Sequence, residues 1–289
     1  MRNHSIAIQG SVASFHDIAA KKYFGQEVST IECGSFREVC DKISQNKADY
    51  GVIAIENKVA GSILLNYHLI ETYDLKIIGE IYLPIELQLL AKVGTKLNNI
   101  REIISHPMAL GQSQVFLSQQ EGVVVTEFKD TASCAKIVLE SSLEGMAVIA
   151  GPTIAKAYNL EVIVENVCDV KENFTRFYII SKGEDYCLDS NKASITIQTD
   201  NTFGKLSDVL VVIKNMGLNL TKIQSVPIAN NSNAYAFHLD IEFDNRELFE
   251  KTISDLKKQT KHLKVLGIYK TDRNNCNGIN KVSTHNNLN

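Results

Sequence analysis

The sequence predicts an α/β fold followed by a smaller βαββαβ unit, on three observations. From residue 5 to about 182, short apolar runs alternate with helical patterns, the rhythm of mostly parallel strands linked by helices. A polar, turn-like stretch over 182–192 interrupts that rhythm. Beyond it, Tyr235, Phe237, Leu239, Ile241 and Phe243 alternate with Ala236, His238, Asp240 and Glu242, the period of a strand with one packed face.

In the first part, apolar runs place strands at 6–9, 28–33, 51–56, 76–83, 86–92, 102–105, 123–126, 146–150 and 174–181. Helical periodicity places helices at 14–24, 36–45, 62–73, 109–119, 131–140 and 153–158. The second part reads as strand 194–199, helix 205–216 stopped by Gly217, strand 218–228, turn 230–233, strand 234–243, helix 246–259 and strand 263–270. In its last helix Leu248, Phe249, Ile253 and Leu256 form one apolar stripe for covering a sheet. The element order is ferredoxin-like. The boundaries that follow are a domain over 1–183, a second over 193–271 and a flexible tail over 272–289, rich in Asn and poor in large apolar residues.

A formal net charge of -3 and a pI near 6.2 leave no concentrated basic surface for nucleic acid. No apolar run of about 18 residues is present to span a membrane, and the first residues lack the apolar segment of a signal peptide. A cytoplasmic location is expected. Cys33, Cys40, Cys134, Cys168, Cys187 and Cys276 show neither metal-ligand spacing nor a disulfide framework, so no metal and reduced thiols are expected. Cys134 reads as a small buried hydrophobe.

Five segments could carry chemistry. In IAIQGSVASFHDIAA, Gly10 turns the chain and Ser14 stands at a helix N-cap, where backbone N–H groups make either a plain cap or an anion site. YGVIAIENKVAGS leads a buried strand into Glu56 and Asn57, either turn residues or ligand contacts at a strand's carboxyl end. In ISHPMALGQ, Ser105 and His106 precede Pro107 at a helix start, with Gln112 further on; His106 reads as a structural hydrogen-bonder. In KDTASCAKI, Thr131 reads as a helix cap. Finally VKENFTRFYII sets Asn173, Thr175 and Arg176 just before an apolar strand, and Arg176 brings a planar fork of donors suited to a carboxylate.

NFTRF resembles the Asn-x-Thr-Arg-Phe signature of prephenate dehydratases. The first three segments resemble, in order, that family's Gly-Pro-x-Gly-Thr-Phe-Ser loop, its Glu-Asn-Ser-x-x-Gly motif and its Ser-His-Pro-x-x-x-x-Gln motif. Departures stand at Ser11, Ala13, Ser14, His16 and Lys58. The resemblance implies a two-lobed α/β catalytic domain of mostly parallel sheets with a cleft, converting prephenate to phenylpyruvate on the route to phenylalanine without a cofactor. It implies catalytic roles for Thr175, Arg176, Glu56, Asn57, Ser105 and Gln112, with Thr175 donating to the leaving hydroxyl and Arg176 holding a carboxylate. Ser14, Thr131 and Phe177 are the implied substrate-binding residues.

The second unit is similar to an ACT domain, which in this family implies phenylalanine as feedback inhibitor, with Gly204, Leu206, Ser225 and Pro227 as effector contacts. Lys205, Ser207, Gln224 and Val226 depart from the usual motifs. ACT units pair through their sheets, implying a homodimer or homotetramer. Two rival readings stand beside this one: an arogenate dehydratase, and a non-catalytic carboxylate-binding sensor that would have no need of the Thr175 hydroxyl.

Overall fold

The computed structural model of the chain describes residues 4–183, 189–199, 202–228 and 231–272. Cys187, Cys276, the turn residue Asn230 and the tail beyond Asp272 lie outside them. The chain divides into two compact units, one of residues 1–66 and 81–177 and another of residues 67–80 and 178–289.

The chain begins β1 (Ser5–Gln9), α1 (Phe15–Phe24), β2 (Ser29–Cys33), α2 (Phe36–Ser44), β3 (Tyr50–Asn57), β4 (Gly61–Ser62), α3 (Leu64–Thr72) and β5 (Lys76–Pro84), of which residues 67–80 in α3 and β5 belong to the second unit. It continues through β6 (Gln88–Ala91), β7 (Glu102–Ser105), α4 (Pro107–Gly111), α5 (Gln114–Ser118), β8 (Val124–Glu127), α6 (Thr131–Glu140), β9 (Met146–Ala150), α7 (Pro152–Ala157), β10 (Glu161–Val164) and β11 (Phe174–Ser181), the last running into the second unit. One sheet has the order β2-β1-β3-β11-β5 with β4 on β3, and another the order β10-β6-β9-β7-β8. The sheets are mixed: β1 pairs parallel with β2 and β3, and β7 with β8 and β9, whereas β6 pairs antiparallel with β9 and β10.

Strand alternation fills both faces of the second sheet. Leu89, Ile103, Ala147 and Ile149 pack with Ala109, Leu110 and Leu117, while Leu90, Ile104, Val148 and Ala150 pack with Ala135, Val138 and Ile154. Cys134 lies in the latter core, where burial pushes its thiol up to about 12.

Two expectations for this unit change. The single helix over 109–119 is two helices, because the Asp169 carboxylate accepts from the N–H groups of Gln114 and Val115 at 2.9 Å and caps a new start there. Strand β10 was not foreseen; its four residues carry too short a pattern to read.

The second unit runs β12 (Lys192–Gln198), α8 (Lys205–Asn215), β13 (Asn219–Ile228), β14 (Asn231–Glu242), α9 (Arg246–Gln259) and β15 (His262–Tyr269). Its antiparallel sheet has the order β13-β14-β12-β15, the ferredoxin-like arrangement. Ile228 pairs directly with Asn231, so residues 231–233 belong to the strand and not to a turn. One face buries Ala193, Ile195, Ile197, Leu239 and Ile241 under Val209, Ile213, Phe249, Ile253 and Leu256. Leu248 stays exposed, outside the apolar stripe expected to include it.

The opposite face is not open to water, as the alternation had suggested. His238 and Asp240 are buried there. The His238 ring stacks on Tyr67 with centroids 4.5 Å apart and shares a 2.8 Å hydrogen bond with Thr196. Ser194 donates to Asp240 at 2.6 Å, and Tyr178 donates to the same carboxylate. Lys192 meets Glu80 at 3.0 Å with both side chains buried. Residues 67–80 therefore cover a polar sheet face, and the polar groups are tolerated because they are bonded to one another.

Candidate functional site

Asn57, the last residue of β3, is the hub of the site. Its Oδ1 accepts from the backbone N–H groups of Val59 and Ala60 at 2.9 Å each, and from Gln112 Nε2 at 3.3 Å. Two fixed donors define which way the amide faces. Its Nδ2 consequently donates to Asn173 Oδ1 and to Thr175 Oγ1, each at 2.9 Å. Thr175 thus accepts a hydrogen bond, and its own O–H proton remains available to donate. Asn57, Thr175 and Asn173 are all buried, as is Asn173 Nδ2, which has no hydrogen-bond partner.

Thr175 and Arg176 are neighbours in one strand and so point to opposite faces. The same holds for Glu56 and Asn57 in β3. Arg176, only 3% exposed, approaches Glu56 at 3.8 Å and lies 5.7 Å from the centre of the Tyr82 ring. The structure therefore brings Asn57, Thr175 and Gln112 together, and separately Glu56, Arg176 and Tyr82.

The β1–α1 loop departs from a bare anion site. Ser14 caps α1, accepting from Asp17 N–H at 3.3 Å. The loop's N–H groups at Val12 and Ala13 are already taken by Glu32 and Asp17 carboxylates, at 2.8 and 2.9 Å. Ala13 holds φ at 69°, the left-handed conformation for which the family's loop has glycine. The Asp17 bond and a 2.9 Å bond from Thr153 to the Ala13 carbonyl hold it there.

Ser105 is fully buried and donates to the Ile149 carbonyl at 2.5 Å, tying β7 to β9. His106 Nδ1 accepts from Met108 N–H at 3.1 Å, and burial lowers its pKa against the pull of Asp130 and Glu127. Thr131 is not the cap of α6. Asp130 is, because its backbone is extended and its carboxylate reaches Ser133 N–H at 2.7 Å, leaving Thr131 as the first helical residue. Phe177 is 1% exposed and lies under the His16 ring, edge to face with centroids 5.0 Å apart.

In the second unit, Gly204 and Leu206 line a cavity of about 180 Å³ with Thr199, Thr202, Lys205, Ser207, Tyr235 and Phe237. Gly204 takes φ of 81° at the start of α8. Ser225 and Pro227 are not among the lining residues, but the register sets them opposite Phe237 and Tyr235, which are.

Sequence reasoning assigned no role to Tyr82, Asn173 or His16. Tyr82 gave no signal, being one aromatic in an apolar strand. Asn173 stood inside the signature, and His16 was visible as a departure from the family's loop. Among the described residues, no cluster of His, Cys, Asp and Glu could hold a metal ion, and no helix is long and apolar enough to cross a membrane.

The family model described as prephenate dehydratase matches residues 6–185. A bifunctional chorismate mutase/prephenate dehydratase of Aquifex aeolicus is 35% identical over 91% of this chain and 73% of its own length. A prephenate dehydratase of Methanocaldococcus jannaschii is 32% identical over 89% of this chain and 94% of its own length. The solved structure of a prephenate dehydratase from Arthrobacter aurescens, in complex with L-Phe, shares the fold at a TM-score of 0.81 and 24% identity, covering 92% of this chain and 90% of that one. The chain belongs to the prephenate dehydratase family.

Proposed function

We propose that the chain catalyses the decarboxylating dehydration of prephenate to phenylpyruvate at the Asn57–Thr175 site. In this reaction the bond from the ring to its carboxylate breaks and its electron pair completes the aromatic ring. The ring C–O bond breaks toward oxygen, which takes a proton and leaves as water. The electrons released at one carbon end on the leaving oxygen, so the balance needs no outside oxidant or reductant.

One observation carries the assignment of the chemistry: Thr175 accepts from Asn57 and keeps its own proton to donate. A hydroxyl that already accepts a hydrogen bond is a better donor, because the two bonds polarise one another. Thr175 donates to the departing hydroxyl, and Gln112 and Asn173 hold Asn57 in place. Arg176 favours the substrate's carboxylates by its charge, which a buried setting screens less than water does, and Glu56 beside it orients the guanidinium. Ser14, Phe177 and Thr131 shape the binding site, and Ser105 holds the strand that carries it.

The same proposal assigns catalysis to residues 1–183 and regulation to an ACT domain over 193–271, with a tail over 272–289. The βαββαβ order, the Gly204 cavity and the register of Ser225 and Pro227 support phenylalanine as the effector, as does the complex of the Arthrobacter aurescens protein with L-Phe. Strand β13 is an edge of its sheet, which supports pairing of two copies into a dimer or tetramer. Cys33, Cys40, Cys134 and Cys168 are free thiols, in keeping with a cytoplasmic location.

Phenylpyruvate formation by the purified chain, with prephenate and arogenate offered separately and with phenylalanine added, tests these assignments. Turnover of prephenate suppressed by phenylalanine is the expected result. Turnover of arogenate alone would move the substrate. Inertness toward both would leave a carboxylate sensor.

A further inference from the structure

We propose that His16, in the first turn of α1, contacts the substrate, donating a ring N–H to one of its carboxylate or keto oxygens, with the Ser11 hydroxyl of the preceding loop as a second polar contact. This rests on the reading that Thr175 marks the substrate site.

His16 Nε2 and Ser11 Oγ are both buried, and neither has a hydrogen-bond partner. Buried polar atoms in folded proteins are nearly always bonded, so two orphans within six residues, one in the β1–α1 loop and one in the first turn of α1, call for a partner outside the chain. The His16 ring stands edge-on to Phe177, 5.0 Å between centroids, with Phe36 5.4 Å away on another side. Phe177 shares a strand face with Thr175, about 6.7 Å along the strand. The imidazole therefore covers Phe177, which is 1% exposed, and takes the place of that ring toward the ligand, on the same side of the sheet as the reacting hydroxyl.

Burial pushes the His16 pKa down to about 3, so the ring works as an uncharged donor near neutrality. Glu32 and Asp17 already occupy the loop's N–H groups at Val12 and Ala13, which leaves side chains to supply further donors. The family's loop has Pro and Ser where this chain has Ser11 and His16, so the contact is particular to this sequence.

Steady-state kinetics of the full chain on prephenate test it, with His16→Phe, His16→Gln and Ser11→Ala. Losing one neutral hydrogen bond to substrate should raise KM about tenfold in His16→Phe with kcat nearly unchanged, and His16→Gln should recover most of it. An unchanged KM in a folded His16→Phe overturns the proposal. A second measurement does not depend on turnover or on that variant folding: ¹⁵N-histidine spectra of the unmodified chain titrated with phenylpyruvate. The His16 signal, identified by its absence in His16→Gln, should shift; no shift at the highest concentration overturns the contact. If the unmodified chain leaves prephenate untouched, the proposed function falls, and the titration alone decides the role of His16.

Discussion

Asn57 donates from Nδ2 to Thr175 Oγ1 across 2.9 Å, and because Val59 and Ala60 hold its Oδ1 the amide cannot turn to offer an acceptor instead. The orientation of the threonine hydroxyl is therefore set by a side chain 118 positions away in sequence.

Replacing either partner should act on the chemical step. Thr175→Ala removes the donor and Asn57→Asp replaces the amide that supports it. Each should lower kcat by about a hundred- to ten-thousand-fold with little change in KM. Because the two act as a unit, the double variant should be no slower than about the worse single one. Steady-state kinetics on prephenate give the comparison, and full kcat in Thr175→Ala would remove that residue from the reaction.

Arg176 is buried beside Glu56 and Tyr82, so its loss should show in stability as well as binding. Arg176→Ala should raise KM and destabilise the fold by about 1–2 kcal/mol, less than for a fully buried ion pair because the Glu56 carboxylate is 41% exposed and screened by water. Arg176→Lys should restore part of the stability but less of the KM, since an ammonium lacks the planar fork. Urea unfolding beside kinetics separates the two effects.

Gly267 allows residues 67–80 to lie on the sheet. A Cβ at that position would stand 1.9 Å from the Ile77 carbonyl oxygen. Backbone cannot move aside as a flexible side chain can, so Gly267→Ala should cost about 3 kcal/mol or more. Thermal unfolding should show a much lower midpoint; an unchanged one would mean that this packing is loose.

Acid should weaken the fold through buried His238 and through His16, whose Nε2 is withdrawn from water. Burial lowers the folded-state pKa of both His16, to about 3, and His238. Below about pH 6.5 the unfolded chain then binds protons that the folded chain refuses. Their contribution is intact above that pH and is lost as pH falls toward the folded values, by up to about 1.4 kcal/mol per pH unit for each group. Urea unfolding from pH 7 to 4 should show this slope, and His16→Gln should flatten it; equal slopes would deny the burial of that ring.

Local pattern reached far into this molecule. Helices α6 and α9 and strands β7, β9 and β11 have the bounds read from periodicity alone, because a stripe or an alternation is written in neighbouring residues. Asn57, Thr175 and Gln112 were also legible, through motif order. The divided helix at α4 and α5 was not, since its break depends on Asp169, 55 positions away.

The sequence by itself determined the α/β character, the order of the elements and the segments proposed to carry the site. Only the tertiary structure decided that Thr175 joins Asn57 while Arg176 joins Glu56, and that the polar face of β14 is buried against residues 67–80. The physical reason is the same in each case. A residue's type and its neighbours set which conformations the chain prefers, but hydrogen-bond partners and burial depend on which distant strand or helix the fold lays beside it.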